Sequence, residues 1–410
     1  MRKEECQYFS KEQPAKLRSM ETYESLCEIS KEQSKLELSK GVKRYCVLND
    51  LHFFNIFENY SVDLMHDMNE GVIPKLLFHL FDHFVKKNIC SRRDIEQKIQ
   101  FFEYGRLSGS YIPTKVDITK PNLGLSAMQL YCLMINLPFI LISVKSKSTK
   151  VWDSVESVLK IMEIVYSEKI TESDLTSVEQ YIDCHLKSIQ KNFGIDLSPK
   201  HHFLLHYPRV IRHMGPVLKM WTMKLEAKHK VFTDIARNTN NFININKTMA
   251  TKHQQLLLTN EFSYSDEIQE GKIRTPLNNS EHFLHFFNTS TDHIFTESIV
   301  KESFLLKFLI INGIEYRKDV LVKDNGAFYE IDSILCSLEK YWIISTKSYE
   351  CKSLDKYSNS LILENKEDGF YMLEINKIEL KKTFEKIFCN EITYVACKTL
   401  DVKTEITFND

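Results

Sequence analysis

Glycine and proline are scarce in this chain, 11 and 9 in 410 residues, and every proline lies at or before Pro276. Few breakers leave room for long regular elements, and their uneven placement predicts a change of architecture in the last third. No C-x-x-C pair occurs among the ten cysteines, which fits a reducing compartment better than a disulfide framework. Charge of one sign is not in excess either. Fifty-four basic residues face 55 acidic ones, so no global field draws the protein to nucleic acid or membrane, and any such preference must be local. The amino terminus, MRKEECQYFSKEQ, has charge but no apolar run behind it, which predicts neither a secretory signal nor an anchor there and hence an intracellular protein.

Long apolar runs are nearly missing as well. The exception is LGLSAMQLYCLMINLPFILISV, 22 uncharged residues from Leu123 to Val144, enough to span a bilayer. Gln129, Asn136 and a mid-segment Pro138 favour a buried core helix instead.

The remaining pattern divides the chain. Residues 1–60 form an N-terminal segment with one or two surface helices, marked by the apolar repeat Tyr23, Leu26 and Ile29. Residues 61–257 read as helical throughout, with Ser91 and Thr171 as start signals. Residues 258–295, rich in Asn, Ser and Thr, suit a linker. From 296 to 410 the code becomes strand-like, with turn signals at Asn312-Gly313, Asn325-Gly326 and Asp368-Gly369. The expectation is an α+β protein: a mostly helical N-terminal domain and a small C-terminal β domain, barrel-like in outline. Cys132 and Cys184 are expected in the core, and Phe53, Phe54 and Phe57 are expected to dock the segment that follows them onto the helical domain.

Two polar clusters stand out. In VDLMHDMNEGVIPKLLFHLFDHF, Asp63, His66, Asp67 and Glu70 can share one side of a helical turn. Asp67 and Glu70 also suit a helix start. In KHHFLLHYP, His202 and His206 lie four apart, as paired zinc ligands do on helices; His201 with His206 is the rival pair if the segment is not helical. Together Asp63, His66, His202 and His206 would close a tetrahedral structural zinc site.

Beyond them the charge is uneven. From Pro199 to His253 ten basic residues meet only Glu226 and Asp234, a net plus eight. Glu226 either pairs with Lys230 at i,i+4 or serves as a Mg²⁺ ligand beside a surface that neutralises phosphates.

The succession VDLMHDMNEGV, LSAMQLYCLMINLP and PKHHFLLHYPRVIRHMGPVLKMWTMKLEAKHKVFTD resembles the transposases of CACTA (En/Spm-like) DNA transposons and their animal relatives. The resemblance covers most of residues 5–257. It implies a DDE enzyme of RNase H fold with a helical insertion between the second Asp and the final Glu. The wider group, with Transib and the V(D)J recombinase catalytic subunit, carries a C/D-x-x-H or C-x-x-C pair and a spaced His pair ahead of that Glu. By this resemblance Asp63 and His66 match the first pair, His202 (or His201) and His206 the second, and Glu226 the last catalytic carboxylate.

The family's two aspartates precede the D-x-x-H motif, on strands of the central sheet. Before Asp63 this chain has only Asp50, and no Val/Ile-rich meander. The resemblance therefore implies a transposase-derived remnant, truncated at the N-terminus and catalytically incomplete. Structural zinc is expected, and the parent family's Mg²⁺ is expected not to function. DNA would be bound with weak sequence preference through Lys219, Lys224, Lys228, Lys230 and Arg237, in the nucleus, with no membrane or small-molecule substrate and with oligomers allowed. The alternatives are a protein-interaction scaffold with no nucleic-acid role and a fragment of an active DDE transposase.

Overall fold

The computed structural model describes residues 18–32, 40–104, 111–145, 149–239, 243–263, 268–270, 274–276, 303–311, 314–337, 340–355, 360–366, 368–378, 380–389 and 392–396. The fold is α+β. Up to Glu226 the described residues form one compact unit, save Glu103 and Tyr104; from Ala227 onward they form a second.

The first unit is helical. Helix α1 (Met20–Glu32) buries Tyr23, Leu26 and Cys27 in a small cluster with Val42, while Ile29, the third member of the repeat, is exposed. A π-helix, Met65–Val72, runs directly into α2 (Ile73–Lys86). Pro74 has no N–H to offer the carbonyl four residues back, which relaxes the α register at this joint. Helix α3 (Arg92–Gln100) starts where Ser91 accepts a hydrogen bond from the Asp94 N–H. Helix α4 (Ala127–Ile140) opens with a Ser126–Gln129 capping box and is packed with Leu130, Leu133, Met134 and Leu137 buried. The uncharged run is thus a core helix, and among the described residues no helix is long and apolar enough to cross a membrane.

After the short α5 (Ile142–Lys145), α6 (Thr149–Val165) packs along α7 (Glu172–Phe193). Thr171 and Asp174 box the start of α7, and Gly194, at φ 63°, closes it in the left-handed conformation that glycine adopts without penalty. Helices α8 (Pro199–Leu204), α9 (Tyr207–Met214), α10 (Met223–Thr239) and α11 (Ile245–Ser263) follow.

The strands are β1 (Ile268–Glu270), β2 (Arg274–Pro276), β3 (Phe304–Leu306), β4 (Phe308–Ile311), β5 (Ile314–Arg317), β6 (Val320–Asp324), β7 (Ala327–Glu330), β8 (Ser333–Ser337), β9 (Lys340–Ser345), β10 (Ser348–Asp355), β11 (Ser360–Asn365), β12 (Tyr371–Glu374), β13 (Leu380–Cys389) and β14 (Ile392–Ala396). A closed antiparallel barrel runs β10-β11-β14-β13-β6-β7, together with a five-stranded sheet β12-β9-β8-β3-β2 and a three-stranded sheet β1-β4-β5. Asn325 and Gly326, at φ 46° and 79°, form the two-residue turn of the β6–β7 hairpin. Inside the barrel unit Glu330 is buried and accepts from Tyr349 Oη at 2.7 Å and from Lys386 Nζ.

Several expectations are corrected. The stretch 258–295 is not all linker: α11 continues to Ser263, and β1 and β2 pair with β4 and β3. The Asn312-Gly313 turn lies outside the described residues. Cys184 is exposed, because its position on α7 faces away from α6 and the buried stripe of Leu175, Val178, Ile182 and Ile189. Phe53 is 73% exposed and meets only the edge of the neighbouring His52 ring among the described aromatic contacts, and Phe54 is half-buried; Phe57 packs edge-on against Tyr23, and its carbonyl, not its ring, accepts from Arg209 Nη2 at 2.7 Å. Every described strand lies at or after Ile268, so no described sheet precedes Asp63.

Candidate functional site

Asp63 stands at the mouth of the π-helix. Its Oδ1 accepts from the N–H groups of Met65 and Thr222, both at 3.2 Å, and its Oδ2 accepts from Thr222 Oγ1 at 2.6 Å and contacts His66 Nδ1. Burial pushes this carboxyl up, but the Thr222 and His66 hydrogen bonds outweigh it and hold it below the usual carboxylate range. The same Asp63 hydrogen bond raises the His66 imidazole. With Nδ1 so occupied, His66 turns Nε2 toward Glu226 Oε1 at 3.6 Å and Glu70 Oε2 at 3.9 Å.

The π-helix backbone is held from the other side by Lys200, whose Nζ donates to the His66 carbonyl at 2.6 Å. Lys200 crosses over Gly71, where a Cβ would stand 2.9 Å from both Lys200 Cβ and Cδ. Asp67 points inward, beside Tyr207 Oη at 3.5 Å. Burial pushes it up to about 6, against the pull of Lys200. Asn69 is fully buried and accepts from Tyr166 Oη. Asp67 and Glu70 therefore do more than start a helix: one is an interior polar anchor, and the other faces His66.

His202 and His206 form the second pair. Their Nε2 atoms lie 3.0 Å apart with the rings edge to face. Burial pushes His202 down to about 4, and it lowers His206 too, so both imidazoles are neutral near pH 7. His201 points elsewhere. It is fully buried, hydrogen-bonds Ser198 Oγ at 2.7 Å and stacks parallel to His185 at 5.8 Å. It is the ring of His202, not that of His201, that stands beside His206, although α8 ends between the two.

The four expected zinc ligands thus sit as two pairs. Among the described residues no three His, Cys, Asp or Glu side chains converge so as to hold a metal ion. The reason is local: Asp63 is taken up by Thr222 and His66, and the outer edge of His66 faces carboxylates. The histidine-bearing turn still meets the π-helix, but through Lys200 and Tyr207.

Glu226 lies in the first turn of α10, and its ion-pair partner is His66, not Lys230. Lys219, Lys228, Lys230 and Arg237 are exposed; the side chain of Lys224 lies outside the described residues. No known protein family, curated protein or solved structure matches the chain.

Sequence reasoning passed over Thr222, which bridges to Asp63 and whose carbonyl accepts the Glu226 N–H at 2.9 Å. The only signal was a threonine four residues before the acidic residue, at a helix start. The cluster is an oriented imidazole between carboxylates: Asp63 fixes the ring, and Glu70 and Glu226 give its outer edge a negative setting.

Proposed function

We propose that this chain is a transposase-derived DNA-binding protein that does not cut or join DNA by itself. The observation that carries the reading is the meeting of Asp63 and His66 with Thr222 and Glu226 across 159 positions of chain. Two motifs that the CACTA resemblance sets in sequence order are neighbours in space. Glu226 in turn begins the helix that carries much of the basic stripe.

Two-metal strand transfer needs carboxylates that clamp both ions. Around Glu226 stand Glu70, Asp63 and a histidine, and the described chain ahead of Asp63 has no sheet to present two further aspartates. Binding remains: exposed Lys219, Lys228, Lys230 and Arg237 suit phosphates, with affinity that falls as salt rises. A nuclear location belongs to the same proposal.

Zinc enters it in a narrower form. His202 and His206 would hold the ion through Nε2, whereas Asp63 and His66 could complete the set only by giving up Thr222 and Glu226. Metal analysis of the purified protein, with His202→Ala as control, tests this separately from DNA binding.

The central experiment incubates the protein with plasmid and Mg²⁺ or Mn²⁺, alongside a salt titration of DNA binding. Retention of DNA without nicking is expected, with affinity dropping steeply between low and physiological salt. Divalent-dependent nicking that disappears in Glu226→Ala, or binding indifferent to salt, would overturn the proposal.

A further inference from the structure

Helix α10 is bare where helices usually pack. From Leu225 to Val231 seven consecutive residues are exposed, and Ile235 is the helix's only buried side chain among those described. From Phe232 onward α11 covers one side, with the Phe232 and His253 rings 5.0 Å apart and Lys252 Nζ donating to Thr239 Oγ1 at 3.2 Å. Ahead of that point Glu226 meets His66, while Leu225 and every residue from Ala227 to Val231 are exposed. A surface helix normally buries an apolar stripe, and one of this length draws little stability from its own hydrogen bonds. A partner that surrounds it would supply what is missing.

We propose that this bare stretch of α10 seats in the major groove of B-form duplex DNA. The inference rests on the DNA-binding reading above and narrows it to one polynucleotide form and one groove. Shape argues for it. A helix with its side chains is about 10–12 Å across, and the B-DNA major groove is about 12 Å wide and 8.5 Å deep. The major groove of A-form RNA is too narrow for a helix. A single strand is held by aromatic stacking, and His229 is the only ring between Leu225 and Val231.

Charge placement agrees. At about 100° per residue, Lys228 and Lys230 project from nearly opposite sides of the helix, placed for the two phosphate walls of a groove. Arg237 follows Lys230 two turns on. Between the two lysines lie Ala227 and Val231, one turn apart, small enough to approach base edges and apolar enough to meet thymine methyls. Of the two acidic residues, Glu226 is turned to His66 and Asp234 is half-buried.

Fluorescence anisotropy on the full chain tests the seating with four probes: a duplex DNA, one of its single strands, a duplex RNA of the same sequence, and the DNA duplex with glucosylated 5-hydroxymethylcytosine for cytosine. The glucose fills the major groove and leaves the phosphates untouched. The plain duplex is expected to bind at least about tenfold more tightly than the other three. Lys228→Gln with Lys230→Gln should lower the slope of log affinity against log salt by about 2. Equal binding to the glucosylated duplex or to duplex RNA, or an unchanged slope in the double variant, overturns groove seating and leaves the DNA-binding reading standing. Failure to bind any of the four overturns both.

Discussion

Mild acid should loosen the helical unit, because a stacked pair of neutral histidines lies in its interior. His185 and His201 are both fully buried and stacked, and neither Nε2 has a hydrogen-bond partner. Burial pushes His185 down to about 4 and His201 to about 2, from an ordinary 6.5. A base with a depressed folded pKa leaves the unfolded chain to take up the proton first. Stability is therefore full above pH 6.5 and falls as pH drops toward the folded value, by about 1.4 kcal/mol per pH unit per group. Between pH 6.5 and 5 the pair costs about 3 kcal/mol, a large part of the roughly 5–15 kcal/mol that holds a domain folded. Urea unfolding followed by tryptophan fluorescence measures this, with Trp342→Phe leaving Trp152 and Trp221 to report the helical unit. Other groups titrate in the same range, so the decisive quantity is the difference from His185→Leu, whose pH slope should be shallower by about one proton. Identical slopes in the two proteins would refute the buried neutral pair.

Gly71→Ala drives a methyl against the Lys200 stem close to its own backbone, where the side chain cannot swing clear. A cost of about 1–3 kcal/mol is expected, read as a lowered thermal midpoint; an unchanged midpoint would deny the close crossing. Lys386→Met leaves Glu330 buried with Tyr349 alone. Because Lys386 is partly exposed, the loss should be about 2–3 kcal/mol, below the full value for a buried pair. Burial raises the Glu330 carboxyl, but the Lys386 and Tyr349 hydrogen bonds outweigh this and hold it below its ordinary range. Its stabilisation is therefore present above the unfolded pKa and lost as pH falls through the folded one. Without Lys386 that loss should begin at higher pH in unfolding curves read from Trp342.

Much of the fold was legible in the order of residues, because its signals act over short distances along the chain. Ser91, Ser126 and Thr171 begin helices by bonding N–H groups three positions on, and Asn325-Gly326 turns a hairpin because those two residues tolerate positive φ. Gln129 and Pro138 correctly marked the uncharged run as interior helix. The i,i+4 spacing of His202 and His206 likewise brought their rings together, even across a helix break.

Partnerships over long sequence distances belonged to packing alone. That His66 spends one nitrogen on Asp63 and turns the other to Glu226, that Thr222 closes the cluster, and that Lys200 rather than a histidine reaches the π-helix all depend on how α8 and the start of α10 lie against that π-helix. Spacing along the chain does not carry that information. Local hydrogen bonds and periodicity determined where helices and strands begin and end. Which polar group met which was decided in the folded interior, where most buried donors and acceptors find a partner.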